Sequence, residues 1–317
     1  MTSYLIRRIL ILIPMALAVS AIIFFSIRLS PVDPINYMVP PEAAASQENL
    51  DALRKSLGLT DPLGVQYLRW LRDVLTGNFG YSIQTGEKIS SILALRAPAT
   101  LELALSALVL STILGLGIGL LAAVKRGGVV DGFSRGLAVV GIGVPEFFVG
   151  IALLQVFAYR LGWFPTGQRM APGEVTLWDR LPHLILPVST LTFTMLAVII
   201  RYTRNSVLDT LNKDYVKTAR SKGVAEWKII WRHVFRNSLG PVLVILTFRL
   251  PILVGGSVLV EAIYRWPGLG SAIIAAMFSS DYPVIMTAGM LIAIAILVAS
   301  FLVDIGKAIL DPRVRLS

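Results

Sequence analysis

The chain has 317 residues, of which 55% are hydrophobic and only 15% are charged, and its formal net charge at pH 7 is +10. This composition is too apolar for an ordinary soluble domain. The chain has no cysteine, which excludes disulfides, thiolate metal sites and cysteine nucleophiles.

Six apolar segments are each long enough to cross a hydrocarbon core of about 30 Å, which takes roughly 20 residues of helix. They lie near Ile9–Leu29, Ala97–Val124, Gly136–Tyr159, Pro182–Ile200, Ser238–Val260 and Pro283–Val303. The sequence therefore predicts an all-α, polytopic membrane protein with six transmembrane helices. The first segment is longer than the 7–15-residue core of a signal peptide, so we expect an uncleaved anchor.

These spans divide the chain into four predicted regions. Residues 1–29 form an amino-terminal cytoplasmic end with the first transmembrane helix, and residues 30–96 form an extracytoplasmic segment. Residues 97–308 form a five-helix transmembrane core, and residues 309–317 form a cytoplasmic tail. Within the external segment, Leu50–Leu57 and Gln66–Leu75 have the pattern of short amphipathic helices. The segment could cap a pore mouth or contact an external partner, and its sequence does not distinguish between these two roles.

The distribution of charge predicts the orientation. Six spans put both termini on one side, together with the loops Lys125–Arg135 and Arg201–Asn237. These four regions hold 17 of the 29 Lys and Arg residues but only six of the 19 Asp and Glu residues. Because positive charge concentrates in cytoplasmic loops, we expect both termini and both loops in the cytoplasm. No nucleic-acid-binding motif accompanies the basic excess.

The predicted spans contain two kinds of unusual residue. Gly115 and Gly119, and further on Gly132 and Gly136, have a spacing that favours close helix packing. Glu146 and Arg249 are ionisable and lie about 15–20 Å into their spans, counted at 1.5 Å per residue. A charge at that depth is costly unless it faces the bundle interior or water. The two side chains could pair, and a structural ion pair and a role in a transport path both remain open.

The loop Arg201–Asn237, called the basic segment below, is the most distinctive part of the chain. It carries nine Lys or Arg residues against three acidic ones and contains one glycine and no proline. Before Gly223, one helix face collects Val207, Leu208, Leu211, Tyr215 and Ala219. After Gly223, apolar residues recur at helical spacing, namely Trp227, Ile230, Trp231, Val234 and Phe235. The pattern predicts a helix, a turn at Gly223 and a second helix. Such helices either lie on a lipid surface or dock a soluble partner.

Motifs for self-contained chemistry are absent from the sequence. It has no G-x-x-x-x-G-K-[ST] phosphate loop and no G-x-S-x-G nucleophile elbow. The only histidines, His183 and His233, fall on opposite sides of the predicted membrane and so cannot share a metal ion. We therefore expect no catalytic residues and no metal site.

Within the basic segment, Asp214-Tyr215-Val216-Lys217-Thr218-Ala219-Arg220-Ser221-Lys222-Gly223 resembles the cytoplasmic loop signature of bacterial ABC-importer permeases of the dipeptide/oligopeptide/nickel family. Lys217-Thr218-Ala219 stands where the general importer motif begins Glu-Ala-Ala, a departure common in this subfamily. Further matches follow in order along the chain: Asp33-Pro34, Gln66-Tyr67 with Trp70, Gly77-Asn78-Phe79-Gly80, Gly162-Trp163-Phe164-Pro165, Glu261, Pro267-Gly268-Leu269-Gly270, Asp281-Tyr282-Pro283 and Asp311-Pro312-Arg313. Ser300 and Lys307 depart from the Asn and Tyr usual near the end.

The resemblance implies the type I ABC importer permease fold and a transport subunit of the bacterial inner membrane with no ATPase site or cofactor of its own. It implies four kinds of partner: a homologous second permease, two cytoplasmic ATPase subunits that bind ATP and Mg, an extracytoplasmic substrate-binding protein and a peptide substrate. Nickel and other solutes remain open. It assigns ATPase coupling to Asp214, Tyr215, Thr218, Ala219, Arg220, Lys222 and Gly223. On this interpretation Val207, Leu211, Tyr215, Trp227 and Trp231 anchor the ATPase.

Two other interpretations explain the sequence less well. A stand-alone secondary transporter or channel would need coupling ions or a selectivity filter, and usually internal repeats, and no convincing repeat relates the two halves. A membrane scaffold without a transport role would leave Glu146 and Arg249 unexplained.

Overall fold

The computed structural model describes residues 2–29, 51, 54–55, 58–171, 173 and 176–310. The predicted helix at Leu50–Leu57 and the motif Asp33-Pro34 lie largely or wholly outside these residues. The same is true of the tail 309–317 with its motif Asp311-Pro312-Arg313.

The described chain is built from helices. In order these are α1 (Thr2–Arg28), α2 (Leu63–Leu75), α3 (Ile89–Val124), α4 (Val129–Gly143), α5 (Glu146–Leu153), α6 (Leu177–Leu211), α7 (Asp214–Ser221), α8 (Glu226–Lys228), α9 (Arg236–Ile263), α10 (Leu269–Phe278) and α11 (Tyr282–Leu310). Two of them continue as π-helical segments, α5 into Leu154–Arg160 and α8 into Ile229–Phe235. The predicted all-α class is confirmed.

Four of the described helices are long and apolar enough to cross a membrane: Ile6–Arg28, Ile89–Val124, Trp178–Leu211 and Tyr282–Leu302. The pair α4 and α5 makes a fifth span if it is counted as one. Helix α9 contains the remaining predicted span, Ser238–Val260, and its 28 residues extend about 42 Å. A total of six spans stays a prediction.

The third predicted span, Gly136–Tyr159, is not one straight helix. Its two halves, α4 and α5 with its π-helical continuation, are bent by 106°. Pro145 explains the break, because its ring disfavours the helical conformation at the preceding residue. Val144 is accordingly extended, at φ −93° and ψ 123°. Glu146 therefore lies in the first turn of α5 rather than in the middle of a continuous helix.

Contacts divide the chain into two compact units. The first comprises Leu101–Trp266 and the described residues after Leu297. Here α6 is the central helix, packed against α4, α5 and α9. Its amino terminus is fixed by a capping box in which Thr176 and Asp179 each accept a hydrogen bond from the other's backbone N–H.

Helix α3 also packs closely against α6 in the first unit. A Cβ atom at Gly115 would lie 2.5 Å from Ile199, and one at Gly119 would lie 2.6 Å from Thr203. The predicted packing role of these two glycines is confirmed. For Gly132 and Gly136 it stays a prediction, because no described atom of this chain lies within 4 Å of a Cβ placed at either.

The second unit comprises the described residues of Thr2–Thr100 together with Pro267–Leu297. Its core contains Ile89, Leu93, Leu269, Ala276, Val284 and Ala288. Asp281 accepts hydrogen bonds from the Ser82 hydroxyl and from the backbone N–H of Ile83 at 3.2 Å. The predicted helix Gln66–Leu75 is confirmed as part of α2, and Phe24 of α1 contacts the ring of Tyr67 edge-on at 5.5 Å and the tilted ring of Trp70 at 5.7 Å. The predicted four-region division concerns membrane topology and stays a prediction.

Candidate functional site

The basic segment begins inside a helix. Helix α6 continues without a break to Leu211, so Arg201–Leu211 extend the preceding span instead of forming a loop. Helix α7 follows, then a turn at Gly223, then α8 with its π-helical continuation, which leads into α9. The predicted order of helix, glycine turn and helix is confirmed.

Gly223 ends α7 in a Schellman motif. Its φ is +73°, in the left-handed region that glycine adopts without a steric penalty. The Gly223 N–H donates to the Arg220 carbonyl at 2.9 Å, and the Val224 N–H donates to the Ala219 carbonyl at 3.2 Å. These two bonds define the motif, and Val224 also packs against the cluster that contains Ala219. The turn between α7 and α8 therefore has a defined, hydrogen-bonded geometry.

The inner face of the basic segment belongs to the core of the chain itself. One buried cluster joins the end of α3 and the end of α6 to the two helices of the segment, and its members are Leu120, Ala123, Val207, Val216, Ala219, Ile229 and Val234. Leu211 packs against the same cluster. Val207, at 0% exposure, is thus not available as an anchor for a partner, and that interpretation was wrong for it, whereas Leu211 is only partly buried and its anchor role stays a prediction. Ala219, only 9% exposed, likewise supports the segment from inside.

The outer face is aromatic and basic. Tyr215, Trp227 and Trp231 keep 45%, 64% and 57% of their surfaces exposed. The Nζ of Lys228 lies 5.6 Å from the centroid of the Trp227 ring. Several charged or polar residues around them are also exposed, namely Lys213, Asp214, Lys217, Thr218, Lys222 and Arg232. The structure therefore leaves Tyr215, Thr218 and Lys222 accessible, together with the two tryptophans.

The π-helical segment decides which residues face inward. Periodicity at 3.6 residues per turn predicts that Val234 shares a face with Trp227 and Trp231. In the structure Val234 shares the buried face with Ile229, five residues earlier, while the tryptophans point outward. A separation of five residues matches the i to i+5 hydrogen bonding of a π-helix.

An ion pair spans the Gly223 turn. Arg220 donates to both carboxylate oxygens of Glu226, at 3.2 Å from Nε and 2.5 Å from Nη2. This bidentate hydrogen bonding lowers the pKa of Glu226 below its ordinary value. The Nζ of Lys217 donates to Asp214 at 2.9 Å and lowers the pKa of that carboxyl in the same way. Arg220 thus bridges α7 and α8 across the turn with an ion pair whose two side chains are about half exposed.

A further ion pair, which the sequence analysis did not predict, joins α4 to α6. Asp131 is 2% exposed and accepts hydrogen bonds from Arg204, at 2.6 Å from Nε and 3.1 Å from Nη2. The Gly127 N–H adds a third bond at 2.9 Å. The only signal in the sequence was a single acidic residue within the basic loop Lys125–Arg135. This pair ties that loop to the helix that enters the basic segment.

The structure does not join Glu146 to Arg249. Oε1 of Glu146 is buried without a hydrogen-bond partner, and the ion pairs formed between described residues do not include either side chain. Arg249 instead lines a cavity of about 350 Å³ together with Arg201. The role of both residues in transport stays a prediction.

Two family matches cover the chain. Residues 115–316 match the binding-protein-dependent transport system inner membrane component, and residues 1–104 match the amino-terminal region of the same kind of component. The chain belongs to this family. The permease is accordingly a multi-pass protein of the inner membrane.

Named permeases match this permease over its whole length. A putative peptide permease of Brucella suis biovar 1 is 39% identical over 100% of both chains. The oligopeptide transport system permease protein AppB of Bacillus subtilis is 38% identical over 99% of this chain and 100% of its own. The glutathione transport system permease protein GsiC of Salmonella typhimurium is 36% identical over 99% of each.

Solved transporters share the fold. An inward-facing structure of the MetNI methionine ABC transporter matches with a TM-score of 0.57 at 17% identity, over 71% of this chain and 99% of that one. An amino acid ABC transporter solved with histidines matches with a TM-score of 0.53 at 17% identity, over 69% of this chain and 94% of that one. These matches confirm the ABC importer permease fold.

Proposed function

We propose that this permease is the membrane subunit of an ATP-driven importer of dipeptides or oligopeptides. Full-length relatives named as peptide, oligopeptide and glutathione permeases support this substrate class. The proposed complex contains a homologous second permease, two ATPase subunits that bind ATP and Mg, and an external binding protein that delivers the peptide.

The observation that carries the proposal is the two-sided construction of the basic segment. Its inner face is packed into the core formed by α3 and α6, whereas its outer face presents three exposed aromatic side chains among basic residues. Exposed tryptophan and tyrosine anchors with nearby charges are typical of a docking surface for a protein partner. We assign the groove of an ATPase subunit as that partner, with Tyr215, Thr218, Lys222 and Gly223 on the contact side.

The coupling mechanism follows from this construction. A force applied by the ATPase to the outer face is transmitted through Val216 and Ile229 to the ends of α3 and α6, because buried side chains cannot slide freely in a close-packed core. The Schellman turn and the Arg220–Glu226 pair keep α7 and α8 in one arrangement during this movement. ATP binding by the partners then biases two states of the permease by differential affinity. Glu146 and Arg249 are assigned to the transport path.

Orientation is part of the proposal. The ATPase contact requires the basic segment in the cytoplasm, which agrees with the concentration of Lys and Arg in this segment and at both termini. The external region before α3 then faces the binding protein.

Reconstituted uptake tests the function. The permease, its second permease and the ATPases are placed in liposomes with the binding protein, and accumulation of a labelled oligopeptide is measured. We expect uptake that requires ATP and the binding protein. Uptake of nickel instead of peptide would contradict the substrate class, and uptake by the permease without ATPases would support a secondary transporter.

A further inference from the structure

We propose that Arg201 and Arg249 form a carboxylate-binding site for the peptide on its route through the permease. The inference rests on the proposed function, which it deepens by naming the chemical group that the transport path recognises.

The two arginines line one cavity of about 350 Å³ within the first unit. Arg201 is on α6 and Arg249 is on α9, and aliphatic side chains from α4, α6 and α9 complete the wall together with Tyr202 and Phe248. The volume lies within the range of about 300–1,000 Å³ found for small-molecule sites. An apolar cavity with a few convergent polar groups is the usual form of such a site.

Arg201 and Arg249 lie at comparable positions along α6 and α9. Arg201 precedes the end of α6 at Leu211 by about 15 Å, and Arg249 follows the start of α9 at Arg236 by about 20 Å, at 1.5 Å per residue. The two positions are thus at comparable distances along α6 and α9 from the helix ends that flank α7 and α8. The cavity therefore lies along the helices away from the proposed ATPase contact, and it opens to the surface of the chain, where Arg201, Tyr202 and Phe248 are exposed.

Among the described residues, no acidic side chain compensates the charge of the cavity. None of its lining residues is acidic, and in the part of the chain that the structure describes neither arginine forms an ion pair. Arginine remains protonated in proteins, so the cavity presents two positive charges of the same sign. Charged groups at this depth are costly unless water or a partner compensates them. An anion that enters the cavity supplies that compensation.

A peptide carboxylate fits this arrangement. Guanidinium groups bind carboxylates with two parallel hydrogen bonds. The Cζ of Arg201 lies 5.4 Å from the centroid of the Tyr202 ring, a cation–π distance. The exposed rings of Tyr202 and Phe248, 39% and 56% exposed, offer apolar contacts for the rest of the peptide. The site is open, which suits a path that must release its ligand as well as bind it.

The test compares two forms of one oligopeptide, with a free or an amidated carboxyl terminus, in uptake by the reconstituted transporter. Arg249→Gln and Arg201→Gln remove the charges, and Arg249→Lys restores the charge without the planar fork. Arg126→Gln is the matched control, because Arg126 is an exposed arginine outside the cavity. We expect the ratio of free-acid to amide uptake to fall about tenfold or more in the Gln variants, the loss typical of a hydrogen bond to a charged group. Arg249→Lys should recover part of the ratio, and Arg126→Gln should keep the wild-type value.

A second measurement removes the binding protein, whose own preference could dominate uptake. Equilibrium binding of the labelled free-acid peptide is measured with the complex in nanodiscs, at millimolar peptide. We expect wild-type binding that is weakened about tenfold by Arg249→Gln and is independent of the content of anionic lipid. In the uptake experiment, equal losses of uptake for the free-acid and the amidated peptide would overturn the site. In the binding experiment, it would be overturned by absence of binding to the wild type or by binding that follows the content of anionic lipid. If the wild type transports neither peptide, the proposed function itself fails.

Discussion

Two glycines of this permease have the same local structure but different surroundings. Gly223 and Gly77 have φ values of +73° and +77°, and both close Schellman motifs at the ends of helices. No atom lies within 4 Å of a Cβ placed at either residue. A substitution at either position therefore strains the backbone without creating a clash, and any difference in phenotype reports the surroundings.

We expect Gly223→Val to impair ATPase association or its coupling to transport, while Gly77→Val does not. A β-branched residue in this conformation costs about 1–3 kcal/mol and opens the turn that sets the angle between α7 and α8. The measurement is co-purification of the ATPases and hydrolysis of ATP stimulated by the binding protein. Equal effects of the two valine variants would show that strain alone, and not the position of the turn, is responsible.

The charged residues Glu146 and Arg249 give a second prediction at this scale. Because the structure does not join them, the losses of thermal stability caused by Glu146→Gln and Arg249→Met should add in the double variant within about 0.5 kcal/mol. Thermal unfolding of the four variants in detergent measures this. A double variant more stable than the worse single variant would show instead that the two residues pair.

Among the elements, the basic segment has separate residues for the stability of the fold and for contact with a partner. Ile229 is fully buried, whereas Trp227 and Trp231 are more than half exposed. All three residues belong to the short stretch formed by α8 and its π-helical continuation, so they provide matched substitutions within one element.

We expect Ile229→Ala to destabilise the permease by about 2–5 kcal/mol, the usual cost of a large-to-small change in a core. Trp227→Ala and Trp231→Ala should leave the melting temperature nearly unchanged but weaken ATPase association, because large exposed aromatic residues act as interface anchors. Thermal unfolding and ATPase pull-down separate the two effects. A drop in melting temperature with intact association for the tryptophan variants would mean that these side chains serve the fold.

The same element shows how far sequence reasoning reaches. The order of helix, Gly223 turn and helix was predictable, because amphipathic spacing and the conformational freedom of glycine are local properties. The inward orientation of Ile229 was not, since a π-helix changes the periodicity and has no clear sequence signal. The Asp131–Arg204 pair was also beyond prediction, because the two residues are far apart in sequence and meet only when α4 packs against α6.

For the whole molecule, composition was sufficient to predict a helical membrane protein, but it did not predict that one of the spans bends. The apolar segments led directly to long helices, whereas Pro145 turned one predicted span into two segments at 106°. The Lys and Arg residues in the loops and termini that flank the spans also predict which side of the membrane each loop faces. Labelling can test this orientation.

Because the chain has no native cysteine, introduced cysteines report topology without background from this subunit. We expect Ser221→Cys to resist an impermeant thiol reagent in intact cells, and Thr85→Cys to react. Both positions are exposed in the structure, so resistance at Ser221 reflects the side of the membrane. Labelling of Ser221→Cys from outside would overturn the orientation.

Photo-crosslinking can show whether the outer face of the basic segment contacts an ATPase subunit. A photoreactive amino acid replaces Trp227 in the complete transporter, and the crosslinked partner is identified after irradiation of native membranes. The same replacement at Trp178, which is 79% exposed on α6 outside the segment, is the control. The account predicts a crosslink to an ATPase from position 227 and none from position 178. Crosslinks from position 227 only to lipid or to the external binding protein would contradict it.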